Sequence, residues 1–467
     1  MMAYPEYKAT GLHWLPQIPK HWDWLFLSQI SEEQKIKNIA AKEKNVLSLS
    51  YGNIIRKKNL NGGLKPQDWA TYQIVSPGNI ILRLTDLQND HTSLRTGLVK
   101  EQGIITSAYT CVKTSHNSAF LHYLLHAYDI QKVFYGFGGG VRQSIGYKAL
   151  RNLCFPVPSP DEQAQIVRYL DAMTAKINKL IRAKKKQIAL LQEQKQAIIN
   201  QAVTQGLDPN AKYQSTEVTC ASLIPSTWVV RQLGKVATII LSGLDKKSYD
   251  GQQKVKLCNY VDVYRNDYIT HEINFMQATA SVSEIRSLSL QKGDVVITKD
   301  SESWDDIAVP AYIAEDIADL CCGYHLAILR SKNAELFSEF LFYAFQSQYV
   351  QIQHKVKAKG VTRFALGNQP IHDTVLCLPP LDEQQAIVMY IKDQCKTQDR
   401  YIAVLNEDIA KLREYQNSLI SAVVTGKRDV RGLTVEDVVP VAEDVTIDDE
   451  EAGEDVEEEM TEAESED

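Results

Sequence analysis

Much is missing from this chain, and each absence closes off a class of function. No run of about 18 apolar residues occurs, so no stretch is expected to cross a bilayer. The opening residues, MMAYPEYKAT, lack the basic-then-apolar order of a secretion signal, and the expected compartment is the cytoplasm. The eight cysteines stand at 111, 154, 220, 258, 321, 322, 377 and 395 without a CxxC pair. That spacing does not build a zinc cluster, and reduced, mostly buried thiols are the expectation. Catalytic signatures are equally scarce. GFGGGVRQS at 136–144 is glycine-rich but has neither the lysine nor the spacing of a phosphate-binding loop. No GxSxG, HExxH or Asn-Pro-Pro-aromatic motif occurs. His122 and His126, in HYLLH, share a helical face at a spacing that suits a metal. The reading is nonetheless an amphipathic helix, with no metal site and no catalysis by this chain alone.

Charge is unevenly spread. Of 58 acidic residues, 17 lie in 436–467, a segment with no Lys or Arg, leaving 41 against 51 bases in the rest. A basic body suits a polyanionic partner. The acidic tail cannot bury enough apolar surface to fold and is expected to be disordered.

What is present is a duplication. YKATGLHWLPQIPKHWDWLFL at 7–27 matches YQSTEVTCASLIPSTWVVRQL at 213–233, aligning Tyr7 with Tyr213, Ile18-Pro19 with Ile224-Pro225, Trp22 with Trp228 and Leu27 with Leu233. SPGNIIL at 76–82 resembles QKGDVVI at 291–297, each a glycine turn entering an apolar strand. AFLHYLL at 119–125 resembles EFLFYAF at 339–345, and GVRQSI at 140–145 resembles GVTRFAL at 360–366. Phe342 and Gln346 replace the two histidines in the second copy.

PSPDEQAQIVRYL at 158–170 and PPLDEQQAIVMYI at 379–391 close each copy and open a long run without Pro or Gly. Apolar residues then recur every three or four positions. In the first run they are Ile166, Leu170, Met173, Ile177, Leu180, Ile188, Leu191, Ile198 and Ala202, with Lys184 and Lys195 at seam positions. In the second they are Ile387, Ile391, Tyr401, Leu405, Ile409, Leu412, Leu419 and Val423. This is a coiled-coil stripe, and about 44 residues make a rod of roughly 65 Å. Gly206 and Gly426 terminate the rods. Two such rods in one chain most economically pack on each other as an antiparallel coiled coil, giving a pseudo-two-fold chain; the alternative is that each packs on a separate partner protein.

The DEQ phrase reads as a helix start. Ser159 caps, Pro160 is the first helical residue, and Glu162 completes a capping box. In the second copy Asp382 is the expected cap, with Gln385 three residues on. Adjacent carboxylates on one helix do not converge on a substrate, so catalysis is not expected there. Two loops suit phosphate or base contact: Arg142, Gln143 and Ser144 in the first copy, and Lys355, Lys357, Lys359, Thr362 and Arg363 in the second. Arg56, Lys57 and Lys58, and Lys246 and Lys247, are further basic candidates.

These features together resemble the DNA specificity subunit of type I restriction–modification enzymes. The resemblance rests on GLHWLPQIPKHW, the paired DEQ phrases, the two long helices and the duplication. It implies an α+β chain of two homologous target-recognition domains, 1–158 and 207–379. A central spacer helix covers 159–206 and a C-terminal one 380–427, with the acidic tail at 428–467. It implies that each domain reads half of a split duplex DNA site, with specificity carried near 28–140 and 234–358, while the paired helices set the spacer. Two methyltransferase subunits would supply S-adenosylmethionine, and restriction subunits ATP and Mg chemistry, with no cofactor bound by this chain. Ser159, Asp161, Glu162, Gln163, Asp382, Glu383 and Gln384 would start the spacer helices or dock partners. The competing reading is a coiled-coil adaptor that binds no DNA.

Overall fold

The computed structural model describes residues 3–50, 52–57, 69–85, 87, 94–137, 145–332, 334–360 and 363–433. It divides into two compact units, one formed by 1–184 with 407–467, the other by 185–406. Both units are mixed α and β. Each contains a small sheet domain, the head of one long helix and the foot of the other. Among the described residues no helix is long and apolar enough to cross a membrane.

In unit 1 a hairpin of Tyr7–Leu12 and Leu15–Pro19 precedes a six-stranded sheet. Its strand order is Ser31–Gln34, Thr110–Thr114, Ile80–Leu82, Thr96–Leu98, Asn53–Arg56, Leu47–Ser50. Helix α1 (Ser118–Ile130) packs on it, with Asn117 accepting at 3.1 Å from the amides of Ala119 and Phe120 as N-cap. In unit 2 the hairpin is Tyr213–Ser215 with Leu223–Pro225. The main sheet runs Ala237–Leu241, Leu326–Ser331, Val295–Thr298, Pro310–Ile313, Tyr268–Ile269, beside a three-stranded sheet of Met276–Ala280, Gln253–Cys258 and Leu320–Cys322. The first four strands of each main sheet correspond, and in both units a fifth pairs parallel with the fourth; unit 1 then adds Leu47–Ser50 as a sixth strand, which the main sheet of unit 2 lacks. Both copies bury the repeated residues: Ile18, Trp22 and Leu27 in unit 1, Ile224, Trp228 and Leu233 in unit 2. Gly78 and Gly293 lie at φ +88° and +94° where the chain turns into each central strand.

The long helices are α2 (Pro160–Gln205) and α4 (Leu381–Val424). Within unit 1, Lys184 Nζ donates to Asp408 at 2.8 Å and Gln416 Nε2 to Asn178 at 3.4 Å. Residue numbers rise along one helix as they fall along the other, so the segments are antiparallel. Within unit 2, Lys195 pairs with Asp399, and the end of α2 meets the head of α4. Both seam lysines thus have carboxylate partners. Two expected seam residues point outward instead: Leu180 and Tyr401 are exposed, while Ile181 is buried and Ile402 half-buried. The stripe steps by four through Met173, Ile177 and Ile181, which carries Leu180 off the seam. Six cysteines are buried, Cys154 is half-buried and Cys220 exposed; none is in a disulfide.

Each helix ends against a hairpin. Gly206 (φ +71°) sits beside Glu383, Trp228 and Pro225, and Gly426 (φ +75°) beside Pro19 and Trp22. A Cβ on Gly426 would lie 2.2 Å from Pro19 Cδ, a ring that cannot move aside, whereas on Gly206 it would meet the end of the flexible Glu383 side chain at 2.8 Å. Left-handed strain alone costs about 1–2 kcal/mol, and overpacking adds about 1–3. Gly426→Ala is therefore expected to cost more than Gly206→Ala by about 1–3 kcal/mol in urea unfolding. Equal losses would show that the Pro19 contact is soft.

Candidate nucleic-acid interface

The DEQ phrase is a junction built from inward-facing side chains. Ser159 caps α2, accepting the Glu162 amide at 3.4 Å. The Glu162 carboxylate does not return to the cap. It is buried, accepts from the Tyr4 hydroxyl at 2.7 Å, and lies 3.0 Å from His21 Nε2 and 4.0 Å from Arg431. Burial and this carboxylate push the Tyr4 pKa up, keeping the hydroxyl a donor. In the second copy α4 begins at Leu381, so Asp382 lies inside the first turn rather than at the cap: Pro380 takes the cap position. Glu383 accepts from Trp228 Nε1 at 3.1 Å. Gln163 and Gln384 are both buried and do the same work. Gln163 accepts the Asn117 amide at 3.1 Å and donates to the Pro158 carbonyl at 2.8 Å. Gln384 accepts the Phe337 amide at 2.8 Å and donates to the carbonyls of Glu335 at 2.7 Å and Pro379 at 2.9 Å. Asn117 and Phe337 are the N-caps of α1 and of α3 (Ser338–Gln346), so each glutamine fixes a domain helix to a long helix. Asp161 and Asp382 stay exposed, and among the described residues no ion pair or side-chain hydrogen bond engages them.

In unit 2 the basic candidates collect at one end of the main sheet. The registers Leu241↔Ala327 and Thr298↔Leu326 place the ends of two strands and the start of a third there. Just beyond, the Lys299 carbonyl accepts the Leu366 amide at 2.7 Å. Asp300 and Ser301 pair with Ala365 and Phe364, and Lys359 exchanges both backbone bonds with Ala365, at 3.2 and 2.9 Å. These bonds hold the loop carrying Lys359 and Arg363, both exposed. A Cβ on Gly360 would fall 1.9 Å from the Arg363 carbonyl oxygen, so only glycine fits that turn. The Tyr324 amide donates to Leu244 at 2.9 Å, which brings the loop of Lys246 and Lys247 to the same end. Lys355 and Lys357 are half-buried at the root. There His354 is buried, bonded to Thr374 Oγ1 at 2.8 Å and stacked 5.2 Å from Phe345; burial lowers its pKa to about 3. The nearby charge of Lys357 disfavours the protonated ring further.

Sequence reasoning missed Lys299, Asp300 and His325. Asp300 pairs with His325 and, at 3.2 Å, with Lys299 Nζ, and His325 stands at φ +66°. The signal was available: Lys299-Asp300 directly follows the apolar strand VVIT. A fixed carboxylate accepts from exocyclic amines of bases, and the lysine and imidazole beside it donate.

Unit 1 repeats the anchor. The Leu84 carbonyl, beyond the end of Ile80–Leu82, accepts the Ile145 amide at 2.9 Å. Arg142 precedes Ile145 by three residues, as Arg363 precedes Leu366. Lys58, Arg142, Gln143, Ser144 and Thr362 lie outside the described residues. Arg56 and Lys57 belong to the other end of the sheet, because Asn53–Arg56 runs parallel to Thr96–Leu98 and ends beside Glu101. Arg56 forms a two-pronged ion pair with Glu101, its Nε donating at 3.2 Å. His122 and His126 do share a face, with ring centroids 6.2 Å apart, and burial lowers their pKa values to about 3 and about 4. No group of three metal-ligating side chains occurs among the described residues.

Two outcomes test this geometry. Gln384→Ala leaves buried amide and carbonyl groups unpaired and is expected to cost about 2–4 kcal/mol in urea unfolding, against under about 0.5 for Asp382→Ala. Comparable losses would mean that the phrase matters through its charge. Because His354 is held neutral in the folded chain and protonates near 6.5 when unfolded, its contribution is complete above pH 6.5 and is lost as pH falls towards 3. Between pH 6.5 and 5 the loss is about 2 kcal/mol, measured as a urea midpoint shift that His354→Gln should largely remove from unit 2.

The family model for the type I restriction modification DNA specificity domain matches residues 92–190 and 225–409. No curated protein sequence matches the chain. Among solved structures, a chain described in work on complex assembly and conformational transition of a type I R-M system is 15% identical. It covers 87% of this chain and 98% of its own, with a TM-score of 0.56, and so shares the fold. The HsdS subunit from Thermoanaerobacter tengcongensis is 16% identical, covering 88% and 98% at a TM-score of 0.37. A type I S subunit from M. genitalium is 13% identical, covering 86% and 96% at 0.33. With matches across more than half its length, the chain belongs to the type I restriction–modification DNA specificity family, as the target-recognising component that is not itself catalytic.

Proposed function

We propose that each unit reads one half of a bipartite duplex target through the loops at its anchored sheet end, and that α2 and α4 set the distance between the halves. The observation that carries this reading is the repeated anchor: a strand-exit carbonyl, at Leu84 or Lys299, accepts the amide of Ile145 or Leu366, a residue that in each copy follows an arginine by three positions in sequence. Around that shared core the main sheets differ in strand number, six against five, and the small sheets beside them differ too, which suits two unlike half-sites. Arg363, Lys359, Lys246, Lys247 and Lys299 supply phosphate and base contacts in unit 2; Arg142, Gln143 and Ser144 are their counterparts in unit 1. Glu162, Gln163, Glu383 and Gln384 are committed inward, which leaves Asp161 and Asp382 as the outward groups for docking two methyltransferase subunits. Those subunits would bring S-adenosylmethionine, and restriction subunits ATP and Mg, in a cytoplasmic complex. The assembly described for the related solved system supports such partners. A DNA-free adaptor finds no support in a family defined by DNA specificity.

Mapping methylated adenines in cells that carry the whole system tests the proposal. Lys359→Ala with Arg363→Ala is expected to relax one half-site and leave the other and the spacer unchanged. Removing one turn from both α2 and α4 is expected to shift the spacer and keep both half-sites. A loop variant that alters both halves equally, or a shortened chain that alters the half-sites, would overturn the division of labour.

A further inference from the structure

The acidic segment that follows the last described residue has a defined point of departure. Gln165 Nε2, on α2, donates to the carbonyls of Val430 at 3.2 Å and Leu433 at 2.8 Å. The Arg428 guanidinium lies 5.5 Å from the Tyr169 ring centre and that of Arg431 4.8 Å from Tyr4. The chain therefore leaves unit 1 beside Gln165. Further along the same helix, residues 172–192 hold six bases and no acid. Lys184 is taken by Asp408. Lys176, Lys179 and Arg182 are exposed, and among the described residues no ion pair engages them.

Helix geometry puts this face in line with the departure point. Eleven residues from Gln165 to Lys176 make three turns plus about 20°, and Lys179 lies about 60° back from there. The row starts about 16 Å from Gln165 and reaches about 26 Å at Arg182, at 1.5 Å per residue. Buried Ile177 and Ile181 occupy the opposite side of the helix. The 34 residues from 434 onward span roughly 30 Å even as a flexible coil, and such a tether holds its far groups at about millimolar effective concentration. They carry 17 carboxylates and no base. The matching positions of α4 are Thr397, Arg400 and Ala403, flanked by Asp393, Asp399, Glu407 and Asp408. α4 has basic residues of its own at Lys392, Lys396 and Arg400, but acids at 393 and 399 are interspersed among them, Lys392 is paired with Glu339, and they belong to unit 2, whereas the acidic segment departs from unit 1.

We infer that residues 436–467 dock in cis on the Lys176, Lys179 and Arg182 face of α2. The segment covers a surface that any other polyanion would otherwise occupy. Zero-length carbodiimide coupling of the full chain, followed by peptide mass mapping, tests this directly, without reference to DNA reading. The expected result is amide links from Lys176 and Lys179 to carboxylates within 436–467, lost at about 1 M salt where screening shortens to about 3 Å. Lys176→Glu, Lys179→Glu and Arg182→Glu together should speed proteolysis within 436–467 by about tenfold. A chain ending at 433 should unfold as cooperatively as the intact one, showing that the fold does not need the segment. Links confined to lysines elsewhere, Lys246 or Lys359 included, or no links at all, would overturn the inference. So would a face that duplex DNA protects in the shortened chain and that never couples to the segment in the intact one.

Discussion

One buried carboxamide in each unit holds the architecture together. A long helix made mainly of polar residues has little reason to keep a fixed angle to a sheet domain, since its own stripe only describes how it meets another helix. Gln163 and Gln384 supply the missing constraint. A primary amide both donates and accepts, so one side chain can tie the cap of the domain helix to the loop that opens the long helix. A carboxylate in its place could only accept and would carry charge into a buried position. The neighbouring glutamates add a second tie, to the hairpin, and here the copies diverge: Glu383 takes the Trp228 ring nitrogen, whereas Glu162 takes Tyr4 and His21.

Rigidity at that joint is what makes a spacer helix useful to a protein that recognises DNA. A loop at the far end of a sheet is positioned only as well as every link back to the helix. In unit 2 those links run through short backbone bonds: Leu366 to Lys299, Lys359 to Ala365, Tyr324 to Leu244. The basic side chains at the tip remain free to adapt, and their roots are not.

The duplication, the helix starts and the terminating glycines were legible because each rests on local chemistry repeated at fixed spacing. The seam was legible to within a turn. Leu180 and Tyr401 were misplaced since an ideal alternation of three and four does not say where two steps of four fall together. The Asp382 cap failed because Pro380 takes the cap position, so the helix starts two residues earlier, at Leu381. The site was half legible. Basic residues beside glycines could be picked out, but Arg56 reads the same way in sequence and is bound to Glu101, forty-five positions distant. Lys299 and Asp300 could have been picked out from their place at a strand exit, but His325 could not: only strand pairing brings positions 300 and 325 together.

Unit 2 is a single uninterrupted stretch of chain, whereas unit 1 is assembled from both extremities. Its hairpin receives Gly426 against Pro19 and Trp22, and its Tyr7 hydroxyl donates to the Gly426 carbonyl at 3.2 Å. On the ribosome, the domain made first is therefore completed last. Its hairpin and the head of α2 stay without their helical partner until the whole of unit 2 has been synthesised. An intermediate with one finished half and one waiting half is built into the order of translation.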